Sequence, residues 1–320
     1  MILYSYREYM SLLAKLIVRK NMPELPEVET IRKGLEKSIL NKKIVQIEIA
    51  KKSPVKGNAE KFVSEIKGKK FVRIERLGKL LVFSLSAKKY LLVHLKMTGQ
   101  LIYAAGKKVV AGGPPHQKFW CGGGHNLPVI NPDTLPTAYT RAAFVFSDDS
   151  KLYFNDMRRF GYLRLAGEAE KNKVERAYGI EPFSKKFNLA EFKRILAGRE
   201  KSLLKAALLD QALIAGIGNI YADEICFSAG VLPGRPAASL TEKEKAALFR
   251  AIKSVLRQAL KYGGTTFRNY ANARGQKGKF TEFLKVYGRQ GMKCLRCKKG
   301  IIQKRKIAGR GTSFCGNCQK

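Results

Sequence analysis

The chain has 320 residues, enough for two domains or for one large domain with an appendage. Hydrophobic residues make up 45% and charged residues 27%, which excludes an intrinsically disordered chain. Against 62 Lys and Arg stand 25 Asp and Glu, a net charge of +37, so a polyanion is the expected partner, nucleic acid before a membrane surface.

Residues 1–21 read as a leader. Its short apolar run at 11–18 is interrupted by Lys15 and no small-residue cleavage site follows, which argues against a secretory signal. No window is apolar for the roughly 18 residues that a membrane span needs. A cytoplasmic protein with reduced cysteines and no membrane partner is the expectation.

Residues 22–165 are mostly strand-like. They open on a helix over 27–40, with Val28, Ile31, Leu35 and Ile39 at helical spacing and Pro26 suited to its first turn. Residues 44–49 alternate and predict a strand. Residues 71–85 and 90–103 predict two longer strands, rich in Val, Leu and aromatic side chains. Residues 104–141 contain Gly112-Gly-Pro-Pro115 and Cys121-Gly-Gly-Gly124 and predict a long exposed loop. His116, Cys121 and His125 lie in that loop without a convincing metal-ligand spacing. Residues 143–154 predict a hairpin that turns at 147–150. An antiparallel sandwich is the simplest architecture for these strands.

Residues 166–288 are mostly helical. Helices are predicted at 189–196, 202–209 and 246–262, the last behind a capping box at Thr241 and Glu244 and stopped by Gly263-Gly264. Between them lies Ala215-Gly-Ile-Gly-Asn-Ile-Tyr221, whose two glycines let the backbone approach something closely. No internal repeat is present.

Residues 289–320 hold ten Lys and Arg and no Asp or Glu. Cys294 and Cys297, then Cys315 and Cys318, have the spacing of a four-cysteine zinc site. Each pair is expected in a tight turn, the second eased by Gly316. A redox thiol pair is the competing reading. So short a segment buries too little apolar surface to fold alone, and a metal supplies that folding energy. Four thiolates leave no open position, so one structural Zn2+ is expected. Arg310, flanked by glycines, is placed to grip a phosphate, or is merely solvated. Cys226 is expected in the core and Cys121 in the loop.

The segment Met22-Pro-Glu-Leu-Pro-Glu-Val-Glu-Thr30 resembles the amino terminus of the formamidopyrimidine-DNA glycosylase family. The resemblance extends through His94-Leu-Lys-Met-Thr-Gly99, Asp156-Met-Arg-Arg-Phe-Gly161, Gly216-Ile-Gly-Asn-Ile-Tyr-Ala222 and Val286-Tyr-Gly-Arg289 into the cysteine module. Each motif alone is modest. In this order they are specific, and they cover 22–320.

The resemblance implies an α+β fold. Its parts would be an amino-terminal antiparallel β-sandwich with flanking helices (22–165), a helix-two-turns-helix domain (166–288) and a four-cysteine zinc ribbon (289–320). It implies a monomeric base-excision-repair enzyme that acts on double-stranded DNA containing oxidised bases or abasic sites. It removes oxidised purines and cleaves the strand by β,δ-elimination. Pro23 would be the first residue and the nucleophile, Glu24 the proton shuttle with Glu27 in support, and Lys79 a phosphate holder at the lesion. Met97, Arg158 and Phe160 would fill the hole left by the flipped base, Asn219 and Arg310 would bind phosphate, and His94 would touch the backbone.

An α-amino group has a pKa of about 8 against about 10.4 for lysine, so a useful fraction of a terminal proline is an unprotonated nucleophile at neutral pH. An internal proline has an amide nitrogen and forms no Schiff base. Met22 is therefore the expected start, followed by removal of the methionine; a leader that binds a partner is the alternative. Arg268, Asn272 and Arg274, in the stretch 265–279 where the family covers the lesion, leave the lesion preference open. An endonuclease VIII-like enzyme for oxidised pyrimidines and a non-catalytic damaged-DNA-binding protein are the rival functions.

Overall fold

The computed structural model describes residues 22–106, 119–123, 134–265 and 280–320. The leader, most of the loop with His116 and His125, the Cys121 side chain, and Arg268, Asn272 and Arg274 lie outside the described residues.

Helix α1 (Leu25–Ile39) begins at Glu24, which caps it within a capping box shared with Glu27. Its buried stripe of Val28, Ile31, Leu35 and Ile39 enters the core of a two-sheet sandwich. The five-stranded sheet contains β1 (Ile44–Ile49), β5 (Gly99–Ala104), β6 (Phe119–Gly123), β7 (Thr140–Phe146) and β8 (Lys151–Asp156), in the order β1-β7-β8-β5-β6. The four-stranded sheet contains β2 (Phe71–Leu77), β3 (Leu80–Leu85), β4 (Lys89–His94) and β9 (Tyr162–Ala166), in that order. Phe71, Phe83, Phe144 and Phe154 meet between the sheets.

The hairpin of β7 and β8 follows the sequence reading. The two long strands do not. Residues 71–85 fold back at Gly78-Lys79, so that Leu77 pairs with Leu80. Gly78 has φ +56°, which a two-residue reversal requires. Residues 90–103 break at 95–98 and pass from one sheet to the other. Helix α2 (Ala59–Ile66), capped by Asn58, buries Phe62 and Ile66 against the same core and went unpredicted. It is only eight residues long, too short for a clear period.

Helices α3 (Glu168–Ala177), α4 (Leu189–Ala197), α5 (Leu204–Leu209), α6 (Asn219–Ala229) and α7 (Glu242–Lys261) follow. The Thr241 capping box starts α7 as expected. Helix α6 is buried from Ile220 to Phe227 and forms the centre of a second core with α4, α5 and α7. Strands β10 (Ile302–Ile307) and β11 (Arg310–Cys315) make the terminal ribbon, which packs Ile302, Cys294 and Cys315 on Phe227 and Val286. Among the described residues no helix is long and apolar enough to cross a membrane.

Candidate active site and nucleic-acid interface

Three turns meet at one end of the sandwich, and register puts them there. Lys79 sits between β2 and β3, Met97 between β4 and β5, and Arg158 to Phe160 between β8 and β9. Leu80 pairs with His94, His94 with Tyr162, and Gly99 with Asp156. Residues from three separate stretches of the chain are thereby gathered on one edge.

The amino-terminal segment docks on the far domain. The Leu25 amide donates to the Gly216 carbonyl at 3.0 Å. The buried Glu24 carboxylate accepts the amides of Gly218 at 2.6 Å and Ile220 at 2.9 Å, at the N-terminal end of α6. A helix N-terminus favours an anion there. The two glycines explain the closeness. A Cβ on Gly216 would lie 2.6 Å from the Cβ of Leu25, and one on Gly218 would overlap the Glu24 carboxyl. The Gly218 amide is therefore committed to Glu24, and that of Gly216 to Gln211 Oε1 at 2.9 Å. Both amides are thus spent within the protein, and the close approach that the two glycines permit is to Leu25 and Glu24.

Burial pushes the Glu24 carboxyl up to about 7, although the nearby Lys79 ammonium opposes the shift. Burial lowers the Lys79 ammonium, while the Glu24 and Glu27 carboxylates hold it up and Arg310 and Lys96 push it down. Glu27 accepts the Glu24 amide at 3.0 Å, the Tyr221 hydroxyl at 2.6 Å and the Thr265 amide at 2.7 Å. Burial raises its carboxyl too. Pro23 is itself buried, directly before Glu24 in the chain. The result is a carboxyl tuned to exchange protons near neutrality, beside a buried cation, at the residue following the proline.

Lys79 is further fixed through its turn. Arg76 makes a two-pronged bond to Glu181, Nη1 to Oε1 at 2.7 Å and Nη2 to Oε2 at 2.9 Å, and Glu181 Oε1 also accepts the Gly78 amide at 2.6 Å. Sequence reasoning missed this clamp, because Glu181 lies in a connecting segment with no motif around it.

Arg158 Nη1 lies 3.2 Å from the Met97 sulfur, and its guanidinium stands 4.7 Å over the Phe160 ring. Phe160 is 53% exposed, unusual for its size, so an apolar ring and a planar cation stand ready at the surface. His94 is placed differently. It is buried, its Nδ1 accepts the Lys96 amide at 3.0 Å, and burial beside Lys96 and Lys79 lowers its ring to about 3. A neutral, enclosed ring offers a phosphate no charge.

Asn219 is the first residue of α6, after the Gly218 cap; its Nδ2 donates to the Gly311 carbonyl at 3.0 Å and its Oδ1 is buried without a partner. It therefore links the helix to the ribbon hairpin, at whose turn Arg310 is exposed. Beneath it, Lys205 and Asp223 are fully buried and pair at 2.6 Å; Lys205 reaches Thr312 Oγ1 at 2.7 Å, and Asp223 accepts the Ser313 amide at 2.8 Å. Glu224 accepts the successive amides of Lys285, Val286 and Tyr287. Both acids sit in the buried stretch Ile220–Phe227, whose other members are apolar apart from the Tyr221 hydroxyl, and that context was the available signal.

The Sγ atoms of Cys294, Cys297, Cys315 and Cys318 lie within 4.8 Å of one another, with separations of 3.6 Å for Cys294–Cys318 and 3.9 Å for Cys297–Cys315. Tetrahedral zinc with Zn–S bonds of about 2.3 Å requires sulfur separations of about 3.8 Å, so the four cysteines fit the metal. The Gly300 amide donates to the Cys297 sulfur at 3.2 Å. Gly300, and not Gly316, is the constrained glycine: a Cβ on it would lie 2.8 Å from the Cys315 sulfur. Cys226 is buried in the second core, as expected.

Comparisons agree with this geometry. The profile of the formamidopyrimidine-DNA glycosylase N-terminal domain matches residues 22–163, that of the formamidopyrimidine-DNA glycosylase H2TH domain residues 178–271, and that of the zinc finger found in FPG and IleRS residues 291–320. The formamidopyrimidine-DNA glycosylase of Carboxydothermus hydrogenoformans is 40% identical over 300 residues, 93% of this chain and 100% of that protein. That of Streptococcus pneumoniae R6 is 37% identical over 302 residues, 93% of this chain and 99% of that protein. The solved complex of Lactococcus lactis Fpg with DNA containing an abasic site superposes with a TM-score of 0.76 at 32% identity, covering 93% of this chain and 99% of that one. A complex of a point mutant of the same Lactococcus lactis protein with Fapy-dG DNA gives 0.76 at 33% identity, covering 93% and 100%. With three matching profiles in order along one chain, a fold shared with solved members and a four-cysteine zinc finger at the carboxyl end, this chain belongs to the formamidopyrimidine-DNA glycosylase family.

Proposed function

We propose that this chain is a DNA glycosylase with lyase activity, which removes formamidopyrimidines and other oxidised purines from duplex DNA and cuts the strand at the abasic site. The observation that carries the reading is the Glu24 carboxyl, buried on the N-terminal end of α6 and raised to about 7 beside Lys79, next in sequence to Pro23.

The Pro23 nitrogen, as a free secondary amine, attacks C1′ of the damaged nucleotide. The glycosidic bond breaks and the base leaves with its bonding electrons. Glu24 shuttles the protons that this substitution moves. The proline nitrogen gives up its proton, its lone pair expels the ring oxygen, and O4′ takes a proton as the C1′–O4′ bond opens, leaving a C1′ iminium. This withdraws electrons, so the C2′ proton is lost and the C3′–O bond breaks, and loss of the C5′–O bond completes β,δ-elimination. Lys79 faces a phosphate of the lesion strand, and Asn219 and Arg310 hold further phosphates. Met97, Arg158 and Phe160 occupy the hole left by the flipped base, with the guanidinium toward the orphaned cytosine. Zinc, when bound, holds the ribbon that presents Arg310. Because the step needs an amine, the active form of this reading begins at Pro23, after initiation at Met22 or removal of 1–21, with Met22 removed in either case. Work on chromosomal DNA implies a cytoplasmic, nucleoid-associated protein.

Borohydride reduction during reaction with 8-oxoguanine opposite cytosine tests the reading. A protein beginning at Pro23 is expected to be trapped covalently, and one beginning at Met1 is not. No adduct from a zinc-loaded protein beginning at Pro23 would leave only a damage-binding protein. Trapping on thymine glycol in preference to 8-oxoguanine would shift the assignment to oxidised pyrimidines.

A further inference from the structure

Asp156 has no role in the chemistry proposed above, yet it is completely buried and the hydrogen bonds to its carboxylate all come from neutral donors. Its carboxylate accepts the Thr98 hydroxyl, the Arg158 amide at 3.2 Å and the Gly161 amide at 2.7 Å. Thr98 Oγ1 in turn accepts the Arg158 amide at 3.0 Å. Thr98 follows Met97 on one turn; Arg158 and Gly161 bracket the other. The second turn is tightly wound: Arg159 has φ +59°, and a Cβ on Gly161 would lie 2.8 Å from Phe154 Cζ and 3.0 Å from Asp156 Oδ2. The Asp156 backbone is also held, its amide donating to the Tyr139 carbonyl at 2.9 Å and its carbonyl accepting Arg141 Nε at 2.9 Å. One rigid acid thus ties both turns to the sheet.

We propose that Asp156 and Thr98 are positioning residues that lock the Met97 turn and the Arg158–Phe160 turn into a single wedge, and so set the preference for the base opposite the lesion. The inference rests on the proposed glycosylase reading. The alternative to locking is two independent loops, each ordered only on DNA. A guanidinium on a fixed backbone meets the wrong base with a mismatched donor pattern, whereas on a mobile turn it shifts to accommodate that base and the difference between right and wrong partners shrinks.

The test uses zinc-loaded protein beginning at Pro23 on duplexes with 8-oxoguanine opposite cytosine and opposite adenine. Thr98→Val keeps the shape of the side chain and loses both hydroxyl bonds; Thr98→Ser keeps the hydroxyl. Thr98→Val is expected to lower the cytosine-over-adenine ratio of excision kcat/KM about tenfold, and Thr98→Ser to hold it within about twofold. Thr98→Ala, which loses the same hydroxyl, reads the same ratio if the Val variant does not fold. An equal loss opposite both bases, or no loss, overturns the positioning role. Borohydride trapping of the unsubstituted protein on an abasic duplex separates the two claims. Failure there removes the glycosylase reading, whereas an unchanged ratio in a variant that still traps removes only the wedge.

Discussion

Glu24 and Gly218 are 194 residues apart in sequence and 2.6 Å apart in space, carboxylate oxygen to amide nitrogen. A side chain of the amino-terminal domain is capped by the backbone of the helical domain, and the absent Cβ makes room for it. Gly218→Ala is therefore expected to displace the carboxyl. Overpacking of this kind costs about 1–3 kcal/mol, and a misplacement of about 1 Å at a reacting group costs about 100-fold in rate. Single-turnover excision should fall by that order while the thermal midpoint drops only a few degrees. Unchanged turnover would show that the contact is not used.

The same carboxyl sets a pH limit. Burial favours its neutral form, so its proton is present below about 7 and is lost as the pH rises through that value. The Pro23 amine of the proposed mechanism would work in the opposite sense, becoming a nucleophile as the pH rises through about 8. The kcat/KM profile of excision should be bell-shaped, with the alkaline limb due to loss of the acid and the acid limb due to protonation of the amine. A profile that rises to a plateau and stays there through pH 9 would assign no role to the Glu24 proton.

Lys205 and Asp223 form the one fully buried ion pair found among the described residues. Lys205→Met leaves a buried carboxylate without its cation, a loss of about 3–5 kcal/mol. Adding Asp223→Leu should restore part of that loss. Urea unfolding of both variants checks the sign. Because Thr312 and Ser313 hang on this pair, the single variant should also weaken DNA binding through the Arg310 hairpin.

Arg310 is exposed at the ribbon turn, so its contribution should be electrostatic. Arg310→Ala is expected to reduce the slope of log K against log salt by about 0.9, the release from one phosphate. Chelation of zinc should do at least as much, since the ribbon then loses its fold. Fluorescence anisotropy across a salt series, with zinc measured by mass spectrometry, distinguishes the two. A slope unaffected by either change would place the ribbon away from DNA.

Local signals carried much of the fold. The four cysteines, the Thr241 capping box, the stripe of α1 and the hairpin of β7 and β8 each combine periodicity with a stop signal nearby. The breaks at Gly78-Lys79 and at 95–98 escaped although Gly78 and Gly99 mark them, because strand-like residues continue on both sides of each. The site was legible mainly by resemblance. Glu24, Lys79 and Phe160 carry no local mark of function, and Lys205, Asp223 and Asp156 resemble ordinary surface charges until distant segments close over them.

The junction of Glu24 with α6 also bears on synthesis. As the chain leaves the ribosome, Pro23 and Glu24 emerge with the first residues, and Gly218 follows nearly two hundred positions later. Until α6 has formed, Glu24 lacks the enclosure that raises its proton affinity and behaves as an ordinary carboxylate. On the mechanism proposed above, a truncated or half-folded product would carry the amine without its tuned acid, so that the strand-cutting step would await completion of the helical part of the chain.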